Sequence, residues 1–211
     1  MRTLKCILSL LAGALTVAAG VLYDNGPGTG QAGAWGMYYP VADSFTLAAP
    51  SNVTGANLYV WVTPGDSFTT LDWSILSSPI GGTTFASGSA AVSTSYGSTI
   101  GATFDLDLST FSIPEVALDA GTYWLMIQNA EATNGDSVYW DVNDGPSQVW
   151  DFAEGGYISP SSCTNEFPLG TGNTCSDGFE ILGDAAPEPA TLAPLGFGLL
   201  LLCALRRHKV A

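Results

Sequence analysis

The chain has 211 residues and a formal net charge of −14, with 19 acidic residues, five Lys and Arg, and one His. The basic side chains all lie near the two ends of the chain, at positions 2 and 5 and at positions 206–209. Because phosphate binding depends on Lys and Arg, this distribution excludes nucleic-acid binding by the body of the protein. The body also has no His or Lys to act as a general base and no Arg to bind an oxyanion, which leaves carboxylate chemistry, a metal site or no catalysis.

The first 20 residues predict a signal peptide. Arg2 and Lys5 precede an apolar run over 6–19, whose 14 residues fit a signal-peptide core and fall short of the ~20 that a membrane-spanning helix needs. Small residues offer cleavage after Ala19 or after Gly20. We therefore expect a signal helix, its removal by signal peptidase, and a mature chain that begins at or near Val21.

Residues 21–183 predict one all-β domain, an antiparallel β-sandwich of the jelly-roll kind. Helical periodicity is nearly absent, and short apolar–polar alternations rich in β-branched and aromatic residues recur between turn signals. The predicted strands cover 43–47, 56–63, 70–76, 83–90, 102–109, 121–128, 137–143 and 179–183. The Ser-, Thr- and Gly-rich stretch 81–102 is predicted to be an edge hairpin or a loop, and 63–67 and 133–137 are typical of hairpin turns.

One predicted strand carries a pair of carboxylates. Phe104, Leu106 and Leu108 share one face and Asp105 and Asp107 share the other, the pattern of a half-buried strand. A glycosidase needs two carboxylates roughly 5–9.5 Å apart in a cleft, and this pair could meet that distance. A carboxylate-only hydrolase is therefore one hypothesis, although no motif singles out a catalytic acid.

Aromatic residues suggest a second kind of site. Tyr59 and Trp61 share a face of their strand, opposite Leu58, Val60 and Val62. If that face is open, Tyr59, Trp61 and Trp140 could stack against sugar rings, as in a carbohydrate-binding module. The alternative is that these rings pack in the core or under a loop.

The segment YWDVNDGPS, residues 139–147, is a candidate metal site. Asp141, Asn143 and Asp144 supply oxygen atoms beside a Gly-Pro turn, and Ca²⁺ binds carboxylates, amides and carbonyls at loop ends. The spacing does not match an EF-hand. A turn that uses Asn, Asp, Gly and Pro for their backbone preferences explains the same residues.

Two cysteines lie in the body, Cys163 and Cys175. Cys6 and Cys203 belong to the terminal apolar segments. An even pair in an oxidising compartment predicts a disulfide, which would close a loop rich in Gly, Asn and Thr and contribute about 3 kcal/mol. A zinc site is the less favoured alternative, because two thiolates are too few.

The C-terminus repeats the signal pattern in reverse order. After a short linker, 184–186, the tail 187–211 begins with Pro187, Glu188 and Pro189. A short hydrophobic helix is predicted over 192–205, and Arg206, Arg207 and Lys209 follow it. The helix would span only about 21 Å of a ~30 Å hydrocarbon core, and the positive-inside rule leaves the cations in the cytoplasm.

This tail resembles the PEP-CTERM sorting tails of Gram-negative bacteria that make exopolysaccharide. The resemblance covers the last 25 residues, and VLYDNGP and YWDVNDGPS resemble only uncharacterised bodies that carry such tails. It implies that Pro187, Glu188 and Pro189 are recognised by an exosortase, a membrane-embedded transpeptidase, while the tail helix is transiently inserted and Arg206, Arg207 and Lys209 stop transfer.

Together these features predict an exported acidic protein of the cell surface or the exopolysaccharide matrix. It would cross the inner membrane, be processed by signal peptidase and exosortase, and serve as a structural or adhesive component without enzymatic activity. The alternatives are a carbohydrate-binding module, with calcium as its candidate ion and exopolysaccharide as its partner, and the carboxylate-only hydrolase.

Overall fold

The computed structural model describes residues 20–30, 34–152 and 176–186, and these form an antiparallel all-β fold. No helix in these ranges is long and apolar enough to cross a membrane. The predicted signal helix and tail helix lie outside the described residues. The strands are β1 Gly20–Asp24, β2 Ala34–Gly36, β3 Val41–Leu47, β4 Ser51–Val62, β5 Phe68–Leu76, β6 Thr84–Ile100, β7 Phe104–Leu118, β8 Gly121–Ala132, β9 Tyr139–Asn143, β10 Val149–Asp151, β11 Ser176–Asp177 and β12 Phe179–Ala185.

The strands form one curled sheet in the order β1-β12-β4-β7-β6-β5-β8-β3-β10, and β9 joins β4, β2 and β11 beside it. Strand β6 connects the two halves, since its first part pairs with β5 and its second part, from Val92, pairs with β7. The curl brings β1 against β3: the rings of Tyr23 and Phe45 are 6.4 Å apart between centroids.

The curled sheet encloses one main hydrophobic core, to which both halves contribute. Alternate residues of each strand point inward, as the period of two requires. The largest fully buried side chains in this core include Phe45, Phe68, Phe111, Trp140 and Phe179. A smaller cluster of Ala42, Leu76 and Trp124 lies apart from it.

All eight predicted strands are present, but their extent was underestimated. The stretch 81–102 is mostly β6, a 17-residue strand that pairs first with β5 and then with β7, and not an edge hairpin or a loop. Its small, largely exposed side chains carry no strong apolar pattern, so the sequence gives little sign of this strand. Its backbone hydrogen bonds come from β5 in the first half and from β7 in the second. The prediction also missed β1, β2, β10 and β11.

The structure has turns at 63–67 and 133–137, as predicted, but they are not hairpin turns. Each joins strands that do not pair with each other, β4 to β5 and β8 to β9. Gly65 and Gly135 adopt the positive φ that the sequence suggested. The two turns meet where Asp66 accepts hydrogen bonds from the Thr133 hydroxyl and the Asn134 N–H.

The predicted linker 184–186 is part of the fold. Strand β12 continues to Ala185, where Asp184 and Ala185 pair with Asn52 and Ser51, and the Ala186 N–H donates to the Pro50 carbonyl at 2.9 Å. Because the start of β4 offers unpaired backbone groups at this point, the chain gains hydrogen bonds by remaining extended. The last described residue therefore directly precedes Pro187.

The buried face of β7 is the reverse of the simple prediction. Asp107, at 5 % exposure, and Ser109 lie on the same face as the core residue Phe111. Phe104, Leu106 and Leu108 are only half-buried on the opposite face. That face is covered in part by the 26–30 segment, where Gly30 lies against Ile100 and Leu106, so the leucines are shielded without entering the main core.

Candidate functional site

The two sequence segments with similar turns, DNGP at 24–27 and NDGP at 143–146, pack against each other. The Asn143 amide nitrogen lies 2.9–3.3 Å from the carbonyl oxygens of Asn25, Gly26 and Pro27, among which its two hydrogens are shared. Gly145 lies so close to the Asn25 carbonyl that a Cβ at this position would overlap it. The turn residues at 143–145 are therefore needed for this contact as well as for their own backbone conformation.

Beneath these turns lies a group of buried polar side chains, which we call the polar layer. Each member is at most 4 % exposed. It comprises Asn25, Asp43, Asp141, Asn143, Ser147, Asp151, Ser176 and Asp177.

Asn25 is the centre of hydrogen bonding in the polar layer. Its amide nitrogen contacts the Ser147 hydroxyl at 2.6 Å, the Asp177 carbonyl at 2.6 Å and the Ser176 hydroxyl. Its amide oxygen accepts from the Tyr23 hydroxyl and from the Ser147 N–H. An NH₂ group has only two hydrogens, so the three oxygen atoms around it exceed the protons that it can give.

Asp43 and Asp177 form a pair of fully buried carboxylates. Asp43 alternates with the core residues Val41, Phe45 and Leu47 along β3, and it is fully buried. One of its oxygens accepts from the Asp177 N–H at 2.6 Å and the other from the Ser44 N–H at 2.6 Å. Neither carboxylate oxygen of Asp177 accepts a hydrogen bond from the described residues, although this side chain is also fully buried.

The electrostatics of this pair follow from burial. Burial raises the pKa of Asp43 above its ordinary value, against hydrogen bonds that act to lower it. Burial also raises the pKa of Asp177, and the nearby charges of Asp43, Asp141 and Asp151 raise it further. Residues 20–186 contain no Lys, Arg or His, so no basic side chain is available to neutralise this pair.

Asp141 has a different role, in which it holds the 28–30 segment onto the sheet. Its carboxylate accepts from the Thr29 N–H at 2.6 Å, the Gly30 N–H at 3.1 Å and the Trp61 indole N–H. Burial raises the pKa of Asp141 to about 6, although these hydrogen bonds act to lower it.

The three predicted calcium ligands are therefore not presented together. Asp141 and Asn143 are buried and bind neighbouring backbone segments, whereas Asp144 is exposed. Asn143 also accepts from the Gly145 N–H at 2.9 Å, the short turn contact expected of the alternative interpretation. Within the described ranges, no three His, Cys, Asp or Glu side chains are arranged as a metal site.

The three predicted sugar-stacking residues are not open to solvent as a set. Trp140 is fully buried, donates its indole N–H to the Gly178 carbonyl at 3.0 Å and packs on Phe179. Tyr59 and Trp61 are half-buried beneath the 26–30 segment; a Cβ on Gly28 would lie 2.6 Å from the Tyr59 Cβ. These rings pack within the fold, as the alternative interpretation held.

The two members of the predicted hydrolase pair, Asp105 and Asp107, differ in burial. Asp105 is half-buried and accepts from the Thr99 hydroxyl at 3.0 Å. Asp107 is buried on the inward face, and burial raises its pKa. Pro187, Glu188, Pro189, Arg206, Arg207, Lys209, Cys163 and Cys175 all lie outside the described residues, so the sorting tail and the disulfide stay predictions.

The sequence interpretation missed Asp43 and Asp177. Asp43 carried a usable signal, because it occupies an inward position in the alternation Val41, Asp43, Phe45, Leu47. Asp177 carried none, since β11 has two residues and its burial depends on the pairing of Asp177 with Val142 in β9.

The described part of the polar layer offers carboxylate, hydroxyl, amide and carbonyl groups, and no basic group. Such a set can share protons or coordinate a hard cation. No protein-family model matches the chain, and no curated protein sequence matches it either.

Proposed function

We propose that this protein is an exported, acidic surface or exopolysaccharide-matrix component, sorted and processed by an exosortase, with a structural or adhesive role and no enzymatic activity. The observation that carries the proposal is the position of the last described strand relative to the triplet. Strand β12 ends at Ala185, Ala186 is still hydrogen bonded to Pro50, and the Pro-Glu-Pro triplet begins at the next residue. Cleavage at the triplet would release the body with every described strand intact.

We also interpret the curled sheet as a jelly-roll-like β-sandwich. Strands β5, β8, β3 and β10 would form one layer, and β1, β12, β4 and β7 the other, with β6 shared between them. The contact between Tyr23 and Phe45 and the core drawn from both halves support this arrangement.

The sorting step is tested by replacing Pro187, Glu188 and Pro189 with Ala in the native host. We expect the variant chain to keep its tail and to stay with the membrane fraction, because the recognition triplet is lost. A Thr191→Ala variant, changed just outside the triplet, should be processed like the wild type. Release of the triple variant at the wild-type rate would refute recognition by the triplet.

A second candidate function, carbohydrate binding, is supported at a place that the sequence did not suggest. Tyr38 is 68 % exposed and borders a groove of about 500 Å³ lined also by Thr70, Asp72, Ser89, Asn129 and Glu131. The Asn129 amide donates to Asp72 at 2.8 Å, and the Ser89 hydroxyl donates to the other oxygen of Asp72. An exposed aromatic ring beside fixed hydrogen-bonding groups is typical of sugar sites.

Affinity electrophoresis through gels that contain the host exopolysaccharide tests this candidate. Tyr38→Ala should lose the retardation that the wild type shows, because the stacking surface is removed. Tyr96→Ala is the matched control, since Tyr96 is 65 % exposed and lies outside the groove. Equal mobility of the wild type with and without polysaccharide would exclude this function.

A further inference from the structure

The inward faces of three strands bring aspartates together at one end of the core. In β10, Val149 and Asp151 pair with Asp43 and Val41 of β3, so Asp151 lies on the same inward face as Asp43. Asp177 pairs with the core residue Val142, which places its side chain on the inward face of β11. All three carboxylates are at least 96 % buried, in positions where the alternation of the strands would otherwise place apolar side chains.

Burying ionised carboxylates without a partner is among the most unfavourable arrangements in a protein. Basic side chains usually neutralise such groups, but residues 20–186 contain none. The need for a neutralising group is greatest at Asp177, since neither of its carboxylate oxygens accepts a hydrogen bond from the described residues. Only protons or a bound cation can neutralise this group.

The neighbouring atoms favour a cation. The Ser147 and Ser176 hydroxyls are 2.5 Å apart, and the Asp177 carbonyl lies 2.6 Å from the Asn25 amide nitrogen. Around that amide the oxygens outnumber the available hydrogens, so the layer is richer in acceptors than in donors. The Ser147 hydroxyl also hydrogen bonds with Asp43, so this surplus of oxygen lone pairs adjoins the buried carboxylate pair, as a hard cation requires.

We propose that Asp43 and Asp177, with the Ser147 hydroxyl and neutral oxygens of their neighbours in the polar layer, bind one Ca²⁺ ion inside the fold. Calcium accepts six to eight oxygen ligands in flexible geometry, whereas zinc prefers nitrogen and sulfur and Mg²⁺ demands near-octahedral coordination. A site made of two carboxylates and several neutral oxygens also agrees with the finding that, among the described residues, no three His, Cys, Asp or Glu side chains are arranged to hold a metal ion. The site differs from the predicted Asp141, Asn143 and Asp144 set, and it does not depend on the proposed sorting or surface role.

Thermal unfolding of the purified full-length chain, in chelator and in Ca²⁺, tests the proposal. At a calcium concentration about 100-fold above the dissociation constant, the wild-type melting temperature should rise by roughly 5–10 °C. Asp177→Asn should abolish this rise, because it removes one ligand charge while keeping the shape. Asp136→Asn removes the same charge from an exposed turn and should keep the full rise.

Equilibrium dialysis with radioactive Ca²⁺ gives a readout that does not depend on stability. The wild type and Asp136→Asn should bind one high-affinity ion per chain, and Asp177→Asn and Asp43→Asn should bind none, with near-ultraviolet circular dichroism showing that each variant is folded. Equal wild-type melting temperatures with and without Ca²⁺ would overturn the proposal and assign protons to the pair. Undiminished binding by both folded variants would overturn it too, since the calcium would then lie elsewhere on the acidic surface.

Discussion

At the residue scale, one close contact explains how the aromatic face of β4 is covered. Gly28 places its backbone directly on the Tyr59 ring system, and Asp141 fixes the next two residues through their N–H groups. The indole of Trp61 is bound by the same carboxylate. The 26–30 segment thus covers rings that the sequence alone left open as a candidate surface.

Gly28→Ala should therefore destabilise the protein. The new Cβ would lie 2.6 Å from the Tyr59 Cβ and 3.0 Å from an Asp141 oxygen, so the segment must lift from the sheet, at a cost of about 1–3 kcal/mol in the free energy of unfolding. Chemical denaturation measures this loss. Gly121→Ala is the control, because its Cβ would meet only ordinary contacts of 3.7 Å or more. Equal stability of the two variants would mean that the segment does not pack on Tyr59.

The buried aspartates predict an unusual pH dependence in the presence of chelator. The pKa values of Asp43, Asp107, Asp141 and Asp177 are all raised in the folded state, that of Asp141 to about 6. A raised pKa means that the folded state holds the proton more tightly, so stability is greatest below the unfolded pKa of about 4 and is lost as pH rises through the folded values.

We therefore expect the melting temperature in chelator to fall between about pH 4 and pH 7, and Asp177→Asn to reduce that fall. Asp66 and Asp72 act in the opposite sense. Hydrogen bonds from Ser89 and Asn129 lower the pKa of Asp72; at Asp66, hydrogen bonds led by that of Thr133 outweigh burial and lower it. Their contribution is lost only as pH falls below about 4. A melting temperature that rises steadily from pH 4 to pH 7 would contradict the burial of the aspartates.

How far the sequence predicts the site depends on the residue. Asp43 could have been found, because a charged residue in an otherwise inward apolar alternation is visible in VADSFTL. Asp177 and Ser176 could not, because their burial arises from pairing with β9, more than 30 residues away. The sequence also could not show which face of β7 points into the core. Leu106 is shielded by Gly30, a residue far away in the sequence, and not by the core itself.

At the element scale, β6 is the strand on which the architecture depends. It is the only described strand that pairs with members of both halves of the sheet, β5 and β7. Its sequence, TFASGSAAVSTSYGSTI, has few large apolar residues, so strand formation here depends on its neighbours more than on its own propensity. That dependence explains why the all-β class and most strands were predictable while this segment was not.

A proline in the middle of β6 tests this role. Ser93→Pro should lower the free energy of unfolding by on the order of 3 kcal/mol, because Pro cannot donate to a ladder and residue 93 lies in the β6–β7 ladder, opposite Thr110. Ser93→Ala should change stability by less than about 0.5 kcal/mol, since the side chain is exposed. If the proline variant were as stable as the alanine variant, residue 93 would belong to a loop.

At the scale of the whole molecule, the folded body and the terminal signals divide the charge between them. Residues 20–186 contain no basic side chain, and every Lys and Arg lies in a segment that we propose is removed. Strand β1 begins at Gly20, beside the predicted signal-peptide cleavage sites, and β12 ends at Ala185, beside the triplet. The first and last described strands thus lie between the two proposed processing sites.

The intact mass of the protein recovered from its native host tests this account most directly. We predict a mass that begins at Gly20 or Val21 and ends at or near the Pro187–Pro189 triplet, without the hydrophobic segment and the terminal cations. A recovered protein whose mass includes the residues after Pro189 would contradict processing by an exosortase.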